Sequence, residues 1–385
     1  MKKKILIISH DASRTGAPIL LLHFLQALKK RNSTLEFDII IFKEGPLISE
    51  FKQFGRVLVL DSLNLKNNLI SRIINKIKIA LFGINIMKST YKSKILKFAN
   101  HHYDSIFSNT ITNGNILDII KPKNVNVITY VHELENAISR FTTPQSLSYA
   151  KAYTTHYLVP SFAVQENLIK NHQVQEDKIS RLPYYIPEVF VLQEKKNEIK
   201  ETLLLGECLV IGGMGTCDWR KGTDVFLQVL VQLKRHFKTV KHKFLWIGAD
   251  KSSLDYKRLI YDATKAGVID DLLMIDSVEN SIDYLSIMDV FLLTSREDPY
   301  PLVVLEAAMQ KKPIICFEGS GGAVEFIRTA ENKVIPYLDT YLMAEKLMIL
   351  LCNSDKRKLL GERAWKHYNK LHSETATLPI LDKIL

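Results

Sequence analysis

The sequence predicts an α/β protein made of two doubly wound domains, each a parallel sheet with crossover helices. Three observations lead there. Short apolar runs alternate with helical stretches along the whole chain, the pattern of repeated strand–helix–strand units. The alternation pauses once, near Pro183 to Pro187, and then resumes. At 385 residues the chain is long enough to bury two cores.

In the first series, strands fall at Lys4 to Ser9, Phe37 to Phe42, Val57 to Leu60, Ser105 to Ser108, Val125 to Tyr130 and Tyr157 to Pro160, with a helix from Ala17. The polar stretch Gln193 to Glu201 reads as a linker or linker helix. The second series places strands at Leu209 to Gly213, Phe244 to Gly248, Leu272 to Ile275, Val290 to Leu293, Pro313 to Phe317 and Lys333 to Ile335. Glu374 to Leu385 reads as a last helix after a break at His372 and Ser373. The expected boundaries are therefore 1–187, 188–371 and a closing segment at 372–385.

With 46% hydrophobic and 24% charged residues, disordered and collagen-like classes are excluded. No run approaches the roughly 18 apolar residues of a spanning helix. After Met1-Lys2-Lys3-Lys4 only Ile5 to Ile8 precede Ser9, too short for a signal-peptide core. Cys208, Cys217, Cys316 and Cys352 show no C-x-x-C pair or zinc spacing, so reduced cytosolic thiols and no metal site are expected.

The net charge of +11 is unevenly placed. Residues 1–190 hold 25 Lys and Arg against 14 Asp and Glu, whereas 191–385 hold 27 of each. Any partner drawn by this charge meets the first half. Ser62 to Tyr103 contains eight basic residues and no acid, with Leu69, Ile70, Ile73, Ile74, Ile77, Ile79, Leu81 and Phe82 at near-helical spacing. That segment fits equally a helix lying on an anionic membrane surface and a solvated basic face on an ordinary packed helix.

The most informative segment is Ser295-Arg-Glu-Asp-Pro-Tyr-Pro-Leu-Val-Val-Leu-Glu306-Ala-Ala308, a proline-punctuated loop opening into an apolar helix. Pro299 and Pro301 suit the loop and first helical positions. The free amides of Leu302, Val303 and Val304 then make an anion seat. Glu306 stands alone among apolar residues, within about 40° of Leu302 on the face expected to be buried. An uncompensated acid there needs a partner. A ligand with a phosphate at one end and sugar hydroxyls at the other would fit both features.

Arg220 and Lys221 directly precede a helix beginning near Thr223. Two cations at a helix N-terminus oppose the macrodipole, which suits an anion-binding role; a solvated turn is the alternative. Gly319 to Glu325 is a second glycine-rich strand-to-helix turn, and Gly16-Ala17-Pro18 precedes a helix in the first half. His132 and Glu133 follow a strand end, where doubly wound sheets bind ligands. Gly213-Met214-Gly215 lacks the third glycine and the later acid of a dinucleotide fingerprint, and no Walker A sequence occurs.

Together these segments resemble the family-4 retaining glycosyltransferases of the GT-B fold, two Rossmann-like domains facing a central cleft. The family pattern is two Glu separated by seven residues after a Pro-Ser or Thr-Ser pair; here Thr294-Ser295 precedes Asp298 and Glu306. The resemblance implies that Glu306 holds the ribose hydroxyls of a nucleotide diphospho-sugar and that Asp298 contacts the transferred sugar. It implies diphosphate binding by Arg220 and Lys221, which match the family's basic R-x-x-x-x-K-G region, with help from the Leu302 and Val303 amides. Gly16 corresponds to the family's glycine loop, His132 to its histidine near the reacting sugar, and Glu325 to the acid of its G-x-x-E turn.

Three departures stand out. Asp298 replaces the first Glu, Pro301 replaces a common Gly, and Met214 occupies the region of the usual Arg, while Arg220 sits beside Lys221. By the same resemblance the chemistry is metal-independent and front-face, the departing phosphate oxygen taking the acceptor proton. The last helix returns to the first domain. The acceptor is expected to be a glycan or lipid-linked glycan, handled at the cytoplasmic face of the plasma membrane by a peripheral enzyme of polysaccharide synthesis. Rival readings are a non-catalytic nucleotide-sugar-binding subunit of another glycosyltransferase, to which the Asp298 substitution points, and a GT-B epimerase or phosphorylase. Nucleic-acid binding is disfavoured by the uncharged second half and the lack of any such motif.

Overall fold

The computed structural model describes residues 3–60, 84–237 and 240–384. The chain folds into two compact units, Met1–Tyr185 with Thr377–Leu385, and Ile186–Ala376. The basic apolar stretch from Leu69 to Phe82 lies outside the described residues; from Ile84 to Phe98 the chain is helical.

The first unit contains β1 (Lys4–Asp11), β2 (Glu36–Lys43), β3 (Gly55–Val59), β4 (Ser105–Ser108), β5 (Asn126–Tyr130), β6 (His156–Val159) and β7 (Ile179–Arg181). They form one parallel sheet in the order β3-β2-β1-β4-β5-β6-β7. Ile5 to Ile8 of β1 are buried without alternation, as expected of a strand covered by helices on both faces. The three-residue β7 went unpredicted because Ser180 and Arg181 give it no apolar pattern. The third strand begins two residues earlier than Val57, at Gly55, where Phe37 of β2 pairs with it.

Buried Asp38 on β2 holds the sheet edge together. It accepts from Arg56 Nε (2.8 Å) and Nη2 (2.5 Å) and from the Tyr103 hydroxyl (2.8 Å), with Lys4 Nζ at 3.1 Å. The Arg56 guanidinium also covers the Phe98 ring at 4.8 Å, fixing the end of the helix Ile84–Phe98. Burial alone would raise the Asp38 carboxyl, but the bonds from Arg56, Tyr103 and Lys4 outweigh it and hold the group at about 2. Its contribution to stability is present above the unfolded carboxyl range near pH 4 and lost as pH falls toward 2. Asp38→Asn is therefore expected to lose on the order of 2 kcal/mol at pH 6. The gap from wild type should close between pH 4 and 2 in denaturant titrations; a gap independent of pH would contradict this.

The second unit contains β8 (Leu209–Met214), β9 (His242–Ala249), β10 (Leu272–Asp276), β11 (Val290–Leu293), β12 (Ile314–Phe317) and β13 (Lys333–Ile335). Their order is β10-β9-β8-β11-β12-β13, again all parallel. Phe226 packs edge-on against Phe244 and Trp246, with ring centroids 5.0 and 5.2 Å apart, in the middle of its core. The polar stretch after the pause is a helix, Gln193–Thr202. In each unit the strand order reverses beside the first strand, β1 against β4 and β8 against β11. Loops leaving those strands at their carboxyl ends are where such sheets receive ligands. Among the described residues no helix is long and apolar enough to cross a membrane.

Candidate active site

In the second unit the chain leaves β8 and turns through Gly215 to Gly222 before the helix Thr223–His236. The Trp246 indole donates to the Gly215 carbonyl at 2.9 Å, seating this loop on the core. Gly222 adopts φ 68°, and a Cβ there would fall 2.0 Å from the Thr294 carbonyl oxygen. Only glycine lets this loop lie against the end of β11. That contact carries Arg220 and Lys221 to the loop after β11.

Lys221 Nζ lies 2.5 Å from Asp298 Oδ2, with Arg220 Nη1 3.8 Å from the same oxygen. Asp298 is 5% exposed, so its carboxylate is compensated by two cations rather than by water. Arg220 also donates to the Glu297 carbonyl at 3.1 Å. Arg296 staples the two loops together: its amide donates to the Arg220 carbonyl, and its guanidinium is bidentate on Asp224 at 2.8 and 2.7 Å. The glycine-rich turn joins from β12, with Asp298 N donating to Ser320 O (2.7 Å) and Gly322 N donating to Asp298 O (3.1 Å). Thus Arg220, Lys221, Asp298 and the turn before Glu325 meet at the carboxyl ends of β8, β11 and β12. Glu325 is a half-buried acid in the first turn of the helix Ala323–Thr329.

The helix Leu302–Met309 starts from Pro301, and no side chain caps it. Of the three amides expected to be free, that of Val304 is engaged, donating to the Pro301 carbonyl at 3.1 Å. The first turn is wound tightly, i to i+3, and the amides of Leu302 and Val303 precede that bond at the uncapped helix start. Glu306, on the next turn, is half-buried, and its Oε2 is buried with no hydrogen-bond partner. Burial raises this carboxyl to about 7. Among the described residues no group supplies the partner that the sequence demanded for this oxygen.

The first unit assembles its own cluster at the ends of β1, β4 and β5. His132 follows β5; its Nε2 lies 3.0 Å from Asn109 Oδ1 and its Nδ1 2.8 Å from the Tyr184 hydroxyl. Asn109 Nδ2 donates to the Ala17 carbonyl at 2.9 Å, so its Oδ1 must accept from His132. Nε2 therefore carries the proton and Nδ1 accepts from Tyr184. Burial, reinforced by nearby His10, lowers His132 to about 3, so the ring is neutral throughout the physiological range. Buried Glu133 accepts from the Thr110 hydroxyl and from the His132 amide, and burial raises its carboxyl to about 7. Gly16 is the first residue of the helix Gly16–Arg31, which likewise has no side-chain cap. Asn109, Tyr184 and Thr110 went unnoticed in the sequence, standing 23, 52 and 23 positions from their partners.

Residues 194–367 match the family described as Glycosyl transferases group 1. The chain carries a group 1 glycosyltransferase domain. That domain includes Arg220, Lys221, Asp298, Glu306 and Glu325. Solved structures agree on the fold. HepE of Anabaena, in complex with UDP and glucose, aligns with a TM-score of 0.80 at 15% identity over 99% of both chains. Sucrose-phosphate synthase of Thermosynechococcus elongatus aligns at 0.75 with 17% identity, covering 99% of this chain and 98% of its own. WaaG, a glycosyltransferase involved in lipopolysaccharide biosynthesis, aligns at 0.71 with 13% identity over 99% of both. No curated protein matches the sequence. Around its group 1 domain the chain has the GT-B fold of two parallel-sheet, Rossmann-like units.

Proposed function

We propose that this chain is a retaining, metal-independent glycosyltransferase that moves a sugar from a nucleotide diphospho-sugar to a glycan or lipid-linked acceptor. The observation that carries this reading is the buried Glu306 Oε2, without a partner among the described residues, one turn beyond the uncapped helix start that follows the loop whose Asp298 pairs with Arg220 and Lys221. Ribose hydroxyls would satisfy the carboxylate. The diphosphate would take the Leu302 and Val303 amides and share Lys221 with Asp298. That HepE was solved with UDP and glucose supports a nucleotide diphospho-sugar as donor.

In the proposed reaction the acceptor oxygen attacks the anomeric carbon on the face from which the diphosphate departs. The C–O bond to the sugar forms as the bond to phosphate oxygen breaks, and that oxygen takes the acceptor proton. Charge grows on the diphosphate, where Lys221, Arg220 and two fixed amides stabilise it. Asp298 orients Lys221 and offers an acceptor for a sugar hydroxyl. His132, neutral and with both ring nitrogens engaged by Asn109 and Tyr184, keeps the first unit's cluster in place rather than acting as a base. Glu325, in the first turn of its helix, adds a further donor contact within the second unit.

Anomeric configuration of the product tests the reaction: NMR should show the configuration of the donor kept, and an inverted product would contradict the front-face route. We assign the enzyme to the cytoplasmic face of the membrane, in cell-surface polysaccharide or glycoconjugate synthesis. The basic excess of the first half and the involvement of WaaG in lipopolysaccharide biosynthesis support this. Co-sedimentation with anionic over neutral vesicles at low salt is the expected result; equal partitioning would reject the membrane assignment.

A further inference from the structure

Tyr300 stands between the two prolines of the donor loop, two residues after Asp298 and directly before the helix start at Pro301. It is 8% exposed, and its hydroxyl lies 2.9 Å from Nε2 of His372, itself 1% exposed. His372 is the last residue of the helix Ser354–His372, close to where the chain leaves the second unit after Ala376. Its ring lies 5.4 Å from that of Tyr300 and 5.7 Å from Phe326, which is on the helix following the glycine-rich turn. It also stacks on Tyr368 at 6.5 Å, and the Tyr368 hydroxyl donates to the carbonyl of Ile186, where the chain enters the unit. One buried imidazole therefore touches the loop bearing Asp298 and the helix bearing Glu325, and reaches the chain's entry point through Tyr368.

Apolar side chains of similar size would fill this space. A buried polar pair adds direction, because breaking it leaves a desolvated donor or acceptor. The loop on which it acts is short of freedom already, since Pro299 and Pro301 each fix φ. One directional anchor between them sets the height of Asp298 on one side and of the Leu302 and Val303 amides on the other.

We infer that Tyr300 and His372 are a positioning pair for the donor loop, setting the diphosphate seat without touching the donor. This rests on the donor-site reading above. The test is calorimetric titration with the nucleoside diphosphate that the wild-type protein binds among those of uridine, adenosine and guanosine. Tyr300→Phe, which removes one oxygen, and His372→Leu should each raise Kd about two- to ten-fold, the value of one buried hydrogen bond. The double variant should be no weaker than either single one. His372→Gln, which keeps a polar atom near Nε2, should recover most of the affinity, a rescue that a general loss of packing would not give. Wild-type affinity in Tyr300→Phe, or effects that multiply in the double variant, would overturn the pairing while leaving the donor site standing. A wild-type protein that binds none of the three diphosphates would overturn both.

Discussion

Lys221→Ala should lower sugar transfer by about 10²- to 10³-fold, the usual cost of removing one preorganised stabiliser of developing charge. The effect should fall mainly on kcat, because the charge that Lys221 meets grows as the diphosphate departs. Stability must be measured alongside. Lys221 Nζ is only 2.5 Å from Asp298 Oδ2, and both side chains are largely buried, 14% and 7% exposed. Removing one partner strands the other, a loss of about 3–5 kcal/mol in buried pairs, softened here by Arg220 at 3.8 Å. The pair can be separated from the chemistry with Lys221→Ala/Asp298→Asn. This double variant should regain most of the lost thermal stability and none of the lost rate. If it regained the rate, the lysine would be structural.

Glu306 gives the second large effect, and of opposite sign on stability. Its Oε2 is buried without a partner, and burial raises the carboxyl to about 7. Above pH 7 the folded protein must keep a desolvated charge, so Glu306→Gln should stabilise the fold at pH 8. The sign follows from linkage: a carboxyl whose folded value is raised supports the fold below the ordinary Glu value of 4.5, and that support is lost as pH rises through about 7. Binding should move the other way. A carboxylate accepting two hydroxyls is worth about 1.5–3 kcal/mol per charged hydrogen bond. Glu306→Ala should therefore weaken nucleotide binding by at least about 10²-fold. Wild-type affinity should also decline about ten-fold per pH unit below 7, as the group protonates. The phosphate titrates in the same range, so the profile of Glu306→Gln is the control. Identical profiles for wild type and Glu306→Gln would remove Glu306 from the site.

The parts legible in the sequence were those with short-range grammar. Strand and helix alternation exposed both sheets, because β1, β8, β9, β11 and β12 are largely buried apolar runs that need no long-range information to recognise. Asp298, Pro301 and Glu306 lie within one loop and helix, and Arg220 with Lys221 break a rule of helix starts, so each announced itself locally. What stayed hidden was the set of partners. Nothing local says that Lys221 reaches Asp298 across 77 positions, or that His132 is held by Asn109 and Tyr184. The same holds for Tyr300 and His372, 72 residues apart. Val304 was misread for a subtler reason: helix starts were taken to leave three amides open, and a tightened first turn closes one of them.

The central claim is that the second unit seats a nucleotide diphosphate with its sugar. A thermal-shift panel of nucleoside diphosphates and their sugars tests it most directly, since a ligand at 100 times its Kd adds about 2.7 kcal/mol to folding stability. The account predicts a clear upward shift with one nucleotide class, larger for the diphosphate than for the nucleoside, and much reduced in Glu306→Ala. No shift with any member of the panel, or an equal shift in Glu306→Ala, would contradict it.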